Sequence, residues 1–283
     1  MRIIKKVKEM QEFAGELRLS KKTIGFVPTM GYLHQGHMSL VQESKARSSF
    51  TVVSIFVNPT QFAPNEDLAK YPRDLKKDCL LLENAGVDVL FFPDAQEIYP
   101  EGFDTYIYPD SLSRIHEGEF RPIHFRGVCT IVGMLFNIVK PHFAFFGQKD
   151  AQQAAVIKRM CTDLKFDLEV VVCPIIREND GLAMSSRNVY LAPKERQQAV
   201  KLYESLLHAQ KLISEGVRNT NRIVEEMIQI IKGIENHKLD YIRIVNAVNF
   251  SEVEMLKSGA DYYILIACRV GVTRLIDNEL IRF

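Results

Sequence analysis

The chain has few features that would place it outside the ordinary globular classes. Its five cysteines (Cys79, Cys129, Cys161, Cys173, Cys268) are scattered, odd in number and form no C-x-x-C pair. That spacing argues against a zinc ribbon or a disulfide framework and for reduced thiols in a cytoplasmic protein. Charge of neither sign is in excess. Thirty-six Lys and Arg face 35 Asp and Glu for a net +1, so charge gives no reason to expect a nucleic acid or membrane partner. No apolar run approaches membrane-spanning length. Residues 1–13 mix Lys and Glu with apolar side chains and lack the unbroken apolar core and cleavage site of a signal peptide. There is no internal repeat and no low-complexity tract. What remains is 283 residues, 47% hydrophobic and 25% charged, enough for one large or two ordinary domains.

The apolar pattern alternates between two periods. Residues 2–18 place Ile4, Val7, Met10, Phe13 and Leu17 at helical spacing. Short runs rich in Val, Ile and Phe follow at 23–27, 51–57, 87–92, 142–146 and 167–173. Helical patterns separate them at 38–47, 73–85, 127–140 and 150–164. Alternation of this kind predicts a doubly wound, Rossmann-like α/β domain with a parallel sheet covered on both faces and its ligand at the carboxyl ends of the strands. After Pro174 the pattern changes to two long helices, 193–215 and 220–235, and strand-like runs at 239–245, 262–270 and 274–281. These predict a second, smaller α+β domain, with the boundary at residue 175/176.

One stretch combines a strand end, a glycine turn and a helix start: Pro28-Thr29-Met30-Gly31-Tyr32-Leu33-His34-Gln35-Gly36-His37. A helix N-terminus offers unpaired N–H groups and the positive end of the macrodipole, which suits an anion such as phosphate. Other readings stay open here: two structural histidines, or a metal site, although no carboxylate or cysteine pair completes a ligand set. The loops after the other strands are Asn58-Pro59-Thr60-Gln61, Gly147-Gln148-Lys149-Asp150 and Pro174-Ile175-Ile176. In a parallel sheet they all open on one edge. Gly147-Gln148-Lys149-Asp150 is a phosphate site or an ordinary turn with a solvated lysine. Met184-Ser185-Ser186-Arg187 supplies two hydroxyls and a guanidinium able to hold phosphate oxygens, or is a surface turn. Residues 114–126, rich in charge and histidine, form a lid or a solvated loop.

Taken together, Pro28-Thr29-Met30-Gly31 with His34-x-Gly36-His37, Val57-Asn58-Pro59-x-Gln61-Phe62, Phe146-Gly147-x-Lys149-Asp150-x-Gln152-Gln153 and Asp180-Gly181-Leu182-Ala183-Met184-Ser185-Ser186-Arg187-Asn188 resemble the pantothenate synthetase (pantoate–β-alanine ligase) family in order and spacing. The resemblance covers residues 23–191. It implies a relation in fold to class I aminoacyl-tRNA synthetases and an AMP-forming acid–amine ligation. Pantoate would attack the α-phosphorus of Mg-ATP, and β-alanine would then displace AMP from the pantoyl adenylate. By the same resemblance Met30 to His37, Gly147 to Asp150, Ile176 and Met184 to Arg187 bind the nucleotide. His37 and His34 serve the phosphates with Lys149 and Arg187, and His37 is the proton donor. Gln61 and Gln153 hold pantoate, with β-alanine near Gln61. The second domain carries a mobile loop, Met184–Arg187, and the protein is a homodimer. Three positions depart from the family pattern: Ile123 for a small residue, Met134 for lysine and Gln148 for glutamate. Two rivals can be discriminated. An adenylyltransferase acting on a phosphorylated acceptor would want a basic residue where Gln61 and Gln153 stand, and a nucleotide-binding regulatory module would bind ATP without turnover.

Overall fold

The computed structural model describes residues 1–64 and 66–282. The chain forms two compact units, Met1–Gln148 with Gln153–Pro174, and Lys149–Gln152 with Ile175–Phe283. The division after Pro174 lies beside the expected boundary, but four residues from inside the first stretch group with the second unit.

The first unit contains strands β1 (Arg2–Ile4), β2 (Ile24–Thr29), β3 (Phe50–Ile55), β4 (Val89–Phe91), β5 (Phe143–Gly147) and β6 (Glu169–Cys173). They form one sheet of order β1-β4-β3-β2-β5-β6 in which every pairing is parallel. Successive strand residues feed opposite cores. Phe26, Val52, Val89, Phe91, Ala144 and Phe146 pack with one helical layer. Val27, Val53, Leu90 and Phe145 pack with the other. The first layer is built by α1 (Val7–Leu19), α6 (His124–Val139) and α7 (Ala151–Leu164), the second by α2 (Gln35–Arg47) and α3 (Leu75–Asn84). The short helices α4 (Ala95–Ile98) and α5 (Glu117–Phe120) lie in the β4–α6 connection. Apolar side chains on both faces are what a two-sided parallel sheet requires. The chain runs outward from β2 through β3 to β4, then returns to place β5 on the other side of β2. The switch point is therefore at the carboxyl ends of β2 and β5, where ligands of such sheets bind.

Three local expectations need correction. Residues 2–4 are an edge strand and not the start of the first helix, because Ile4 is buried in parallel pairing with Phe91. The 193–215 helix is divided into α8 (Pro193–Ala199) and α9 (Lys201–Ser214), with Val200 between them. Residues 114–126 are not a solvated loop. They include α5 and the first turn of α6, and bury His116, Glu117 and His124. Ile123 has φ −94° and ψ −10°, an ordinary right-handed conformation that makes no demand for glycine.

The second unit pairs α9 and α10 (Thr220–Ile231) with an antiparallel sheet, β7 (His237–Asn246), β8 (Tyr262–Val270) and β9 (Thr273–Ile281), in that order. Leu202, Leu206, Ala209 and Ile213 recur at helical spacing on α9, as do Ile223, Met227 and Ile231 on α10. They share a core with Ile264, Ile266 and Cys268 of β8.

Candidate active site

The turn after β2 is held by a side chain that the sequence pattern hid. Gly31 (φ +83°) and Tyr32 (φ +51°) are both left-handed, a conformation that costs roughly 1–2 kcal/mol in a residue with a Cβ. Asp78 of α3, 1% exposed, accepts the Tyr32 N–H at 2.8 Å and the Leu33 N–H at 2.7 Å. Thr29 Oγ1 accepts the Gly31 N–H at 3.2 Å and donates to the Ser54 carbonyl. A Cβ on Gly31 would lie 3.0 Å from Ile55 Cγ2 and 3.1 Å from Asp78 Oδ2, so glycine is needed for space as well as for φ. Burial pushes the Asp78 carboxyl above its ordinary range, and the Leu33 and Tyr32 N–H groups pull against that. The one sequence signal was an acid on the apolar face of a helix, four residues before buried Leu82.

This turn delivers His34 as the N-cap of α2. Its Nδ1 accepts the Gly36 N–H at 3.1 Å, while His37 Nδ1 accepts the His34 N–H at 3.3 Å. The two rings lie 4.1 Å apart between centroids. An imidazole nitrogen that accepts carries no proton, so this hydrogen-bond network assigns the ring proton of each neutral histidine to Nε2. Two Nε2–H donors thus stand at the positive end of a 13-residue helix, at the sheet's switch point. Metal coordination through either Nδ1 would require breaking the cap. Among the described residues no group of three His, Cys, Asp or Glu side chains is placed to hold a metal ion.

Gln61 is oriented through Asn58. Asn58 Oδ1 accepts from the Tyr99 hydroxyl at 2.7 Å and the Thr60 hydroxyl at 3.0 Å. Its amide nitrogen is then left to donate to Gln61 Oε1 and to the Gly127 carbonyl, each at 3.1 Å. Burial raises the Tyr99 hydroxyl to about 12, so it stays a donor throughout the neutral range. With its oxygen engaged, Gln61 offers its NH₂ group, which lies 3.2 Å from Met30 Sδ. Gly127 lets α6 come this close, since a Cβ there would stand 2.5 Å from Gln61 N. Arg121, pairing with Glu66 at 2.8 Å, and His124, 3.3 Å from the Gln61 carbonyl, pack round the same turn. The 114–126 segment therefore supports Gln61.

The structure brings Met30, His34, His37 and Gln61 to one edge of the first unit. Gly147 ends β5 on that edge, and Gln148 opens the 3₁₀ turn beyond it. Gln153 is half-buried as the third residue of α7. The remaining candidates lie in the second unit. Lys149 and Asp150 are adjacent, 3.9 Å between Nζ and Oδ2. The Ile176 carbonyl accepts the Met184 N–H at 3.0 Å, and Ser185 Oγ accepts the Arg187 N–H at 3.2 Å, opening the 3₁₀ turn Ser186–Tyr190. Residues 176–188 form a tied hairpin, with Glu178 bonded to Leu182 through the backbone and Asn188 reaching Glu178 Oε1 and the Ala183 carbonyl.

A doubly wound parallel sheet with a histidine-capped helix at its switch point, followed by a three-stranded antiparallel unit, defines a nucleotide-binding α/β class. The comparisons with known proteins narrow it. The family model described as Pantoate-beta-alanine ligase matches residues 2–280. Pantothenate synthetase of Thermotoga petrophila is 53% identical over 281 residues, 99% of this chain and 100% of that protein. The same enzyme of Acetivibrio thermocellus is 49% identical over 99% of each. The crystal structure of pantothenate synthetase from Thermus thermophilus superposes with a TM-score of 0.92 at 42% identity and 99% coverage of both chains. Pantoate-beta-alanine ligase from Francisella tularensis, complexed with beta-gamma ATP and beta-alanine, gives 0.80 at 36% identity, covering 99% of this chain and 97% of that one. The chain belongs to the pantoate-beta-alanine ligase family.

Proposed function

We infer that the chain condenses (R)-pantoate with β-alanine, using ATP, through a pantoyl adenylate. In the first step a pantoate carboxylate oxygen bonds to the α-phosphorus, and the bond from that phosphorus to the bridging oxygen breaks. Pyrophosphate leaves with the electron pair. In the second, the β-alanine nitrogen bonds to the acyl carbon, AMP leaves, and the extra proton on nitrogen is released. The first step brings a carboxylate against a polyanion, so the protein must chiefly position and neutralise.

The observation that carries this reading is the reciprocal histidine cap. It ties both imidazoles to the start of α2 through their Nδ1 atoms, which supports a role for them in stabilising the negative charge that shifts during adenylate formation. In this assignment His37 donates to an α-phosphate oxygen and His34 stands beside it. Lys149 and Arg187 supply point and bidentate charge to the phosphates, and Ile176 meets the adenine edge through its peptide. Gln61 and Gln153 hold pantoate by neutral donors. The Gln61 NH₂ suits a carboxylate that must remain nucleophilic, which a close ion pair would suppress. Mg²⁺ enters with ATP as part of the substrate, held in this reading by phosphate oxygens. We further infer a cytoplasmic homodimer. Five free thiols fit a reducing compartment, and light scattering at assay concentration reads the oligomeric state.

Purified protein given pantoate, β-alanine and Mg-ATP is expected to release AMP and pyrophosphate in step with pantothenate. Formation of ADP, or AMP release independent of pantoate, overturns the reading. An adenylated product without free AMP would select the adenylyltransferase instead.

A further inference from the structure

Lys149 belongs to a four-residue stretch that clusters with the second unit. Its backbone is held from β9: Asn278 Nδ2 donates to the Lys149 carbonyl at 2.9 Å across 129 residues of sequence. Asn278 is 1% exposed, and its neighbour Asp277 is 3% exposed. Two consecutive buried polar residues in mid-strand are unusual, since one faces each side of the sheet and burial is unfavourable unless every polar atom is satisfied. Their register partners on β8, Leu265 and Ile266, are apolar and give no reason for them.

The reason lies in what the pair holds. Asp277 accepts from both terminal nitrogens of Arg177, at 2.6 and 3.1 Å, and its Oδ1 accepts the Asn278 N–H at 2.8 Å. Arg177 also donates to the Gly181 carbonyl at 3.1 Å and stacks 3.9 Å from the Tyr203 ring centroid. Arg177 pairs with Ala183 across the base of the 176–188 hairpin. One end of the Asp277–Asn278 pair thus fastens the hairpin that carries Ile176 and Arg187, and the other fastens the lysine backbone.

We propose that Asn278, held by the Asp277–Arg177 pair, is a positioning residue that sets the backbone of Lys149 so that its ammonium meets the ATP phosphates. This rests on the assignment of Lys149 to the phosphates made above. The test is a double-mutant cycle read by pyrophosphate exchange, with melting curves for each protein. Asn278→Leu removes the donor at similar volume. Asn278→Ser keeps a small polar group and serves if the leucine variant does not fold. Because misplacement by about 1 Å costs up to ~10²-fold, either variant is expected to lower kcat/KM for ATP by at least ~10-fold. The KM for pantoate should stay within about twofold, and in a Lys149→Ala background the same substitution should cost less than about twofold, since its effect runs through the lysine. An equal loss with and without Lys149, or parallel changes for ATP and pantoate, overturns the proposal and leaves Lys149 at the phosphates. If Lys149→Ala alone leaves kcat/KM for ATP unchanged, the phosphate assignment itself fails and the positioning role with it.

Discussion

Removing the Asp78 carboxylate tests whether the histidine turn is held from α3. In Asp78→Ala the Tyr32 and Leu33 N–H groups, bonded at 2.8 and 2.7 Å, lose their acceptors. A lost hydrogen bond to a charged group costs about 1.5–3 kcal/mol, and Tyr32 is only half-buried, so about 3 kcal/mol is expected for the two together. At about 2–4 °C per kcal/mol for units of this size, melting of the first unit should fall by roughly 6–12 °C in calorimetry. Turnover measured well below the melting temperature should fall as well, because Tyr32 loses the acceptor that holds it in a left-handed conformation. Asp78→Asn, with one acceptor in place of two, should lose about half as much stability. The pH dependence separates the carboxylate from its shape. Burial outweighs the two N–H groups and raises the Asp78 pKa, so the folded state binds its proton more tightly than the unfolded chain. Its contribution is therefore fully present below the unfolded value of 3.8 and is lost as pH rises through the raised folded value. Wild type should lose ground to the asparagine variant over that interval. A melting temperature for Asp78→Ala within about 2 °C of wild type, or a gap that widens with rising pH, would refute the account.

Other substitutions probe the remaining pieces. His37→Ala should lower turnover by at least ~10²-fold, as loss of a transition-state donor does, and retained turnover removes His37 from its role. Gln61→Glu places a second carboxylate against the acid substrate and should raise the KM for pantoate by about tenfold or more, with little change for ATP, since like charges in a shared site repel. Gly127→Ala sets a Cβ 2.5 Å from Gln61 N and the Thr60 carbonyl; overpacking costs about 1–3 kcal/mol, and pantoate binding should weaken more than ATP binding. His142 accepts the Ile24 N–H at 3.0 Å, and burial with the nearby Arg18 lowers its pKa below 6.5. Its contribution is present above 6.5 and lost as pH falls through the lowered value, so the stability advantage of wild type over His142→Gln should shrink in acid.

Much of the first unit was legible because its signals are local. Runs such as Ile24–Val27 and Phe143–Phe146 are apolar on both faces, and Gly or Pro ends them, which specifies buried parallel strands without tertiary knowledge. The strand–turn–helix form of the two-histidine stretch was legible for the same reason, whereas Gln61, Lys149 and Arg187 were pointed to only by family spacing. The supports were not legible. Asp78 acts through two backbone N–H groups 45 and 46 residues away, and no composition rule marks a carboxylate that satisfies donors so distant. Arg2-Ile3-Ile4 shares the helical spacing of the adjoining residues 7–17, and only pairing with β4 makes it a strand. Tertiary pairing overrides local preference in such short segments.

Lys149 shows the limit most clearly. In sequence it continues Gly147-Gln148 at the end of a first-unit strand, and as an N-terminal turn of α7 it reads as part of that unit. Yet its carbonyl is bonded to Asn278, and Asn278 is tied through Asp277 and Arg177 to the hairpin bearing Arg187. Both cations assigned to the phosphates are thus fastened to one buried network in the second unit, whereas in the first Asp78 holds the turn that leads to His34 and His37, and Asn58 holds Gln61. A neutral amide or imidazole must be aimed, and each is aimed by hydrogen bonds to its own ring or amide atoms. A lysine ammonium acts as a point charge on a flexible stem, so what can be fixed is the backbone from which it reaches. The contact from Asn278 falls on that backbone and not on the side chain. This makes coupling between Asn278 and Lys149, more than the loss from either substitution alone, the quantity that decides whether β9 has a share in ATP binding.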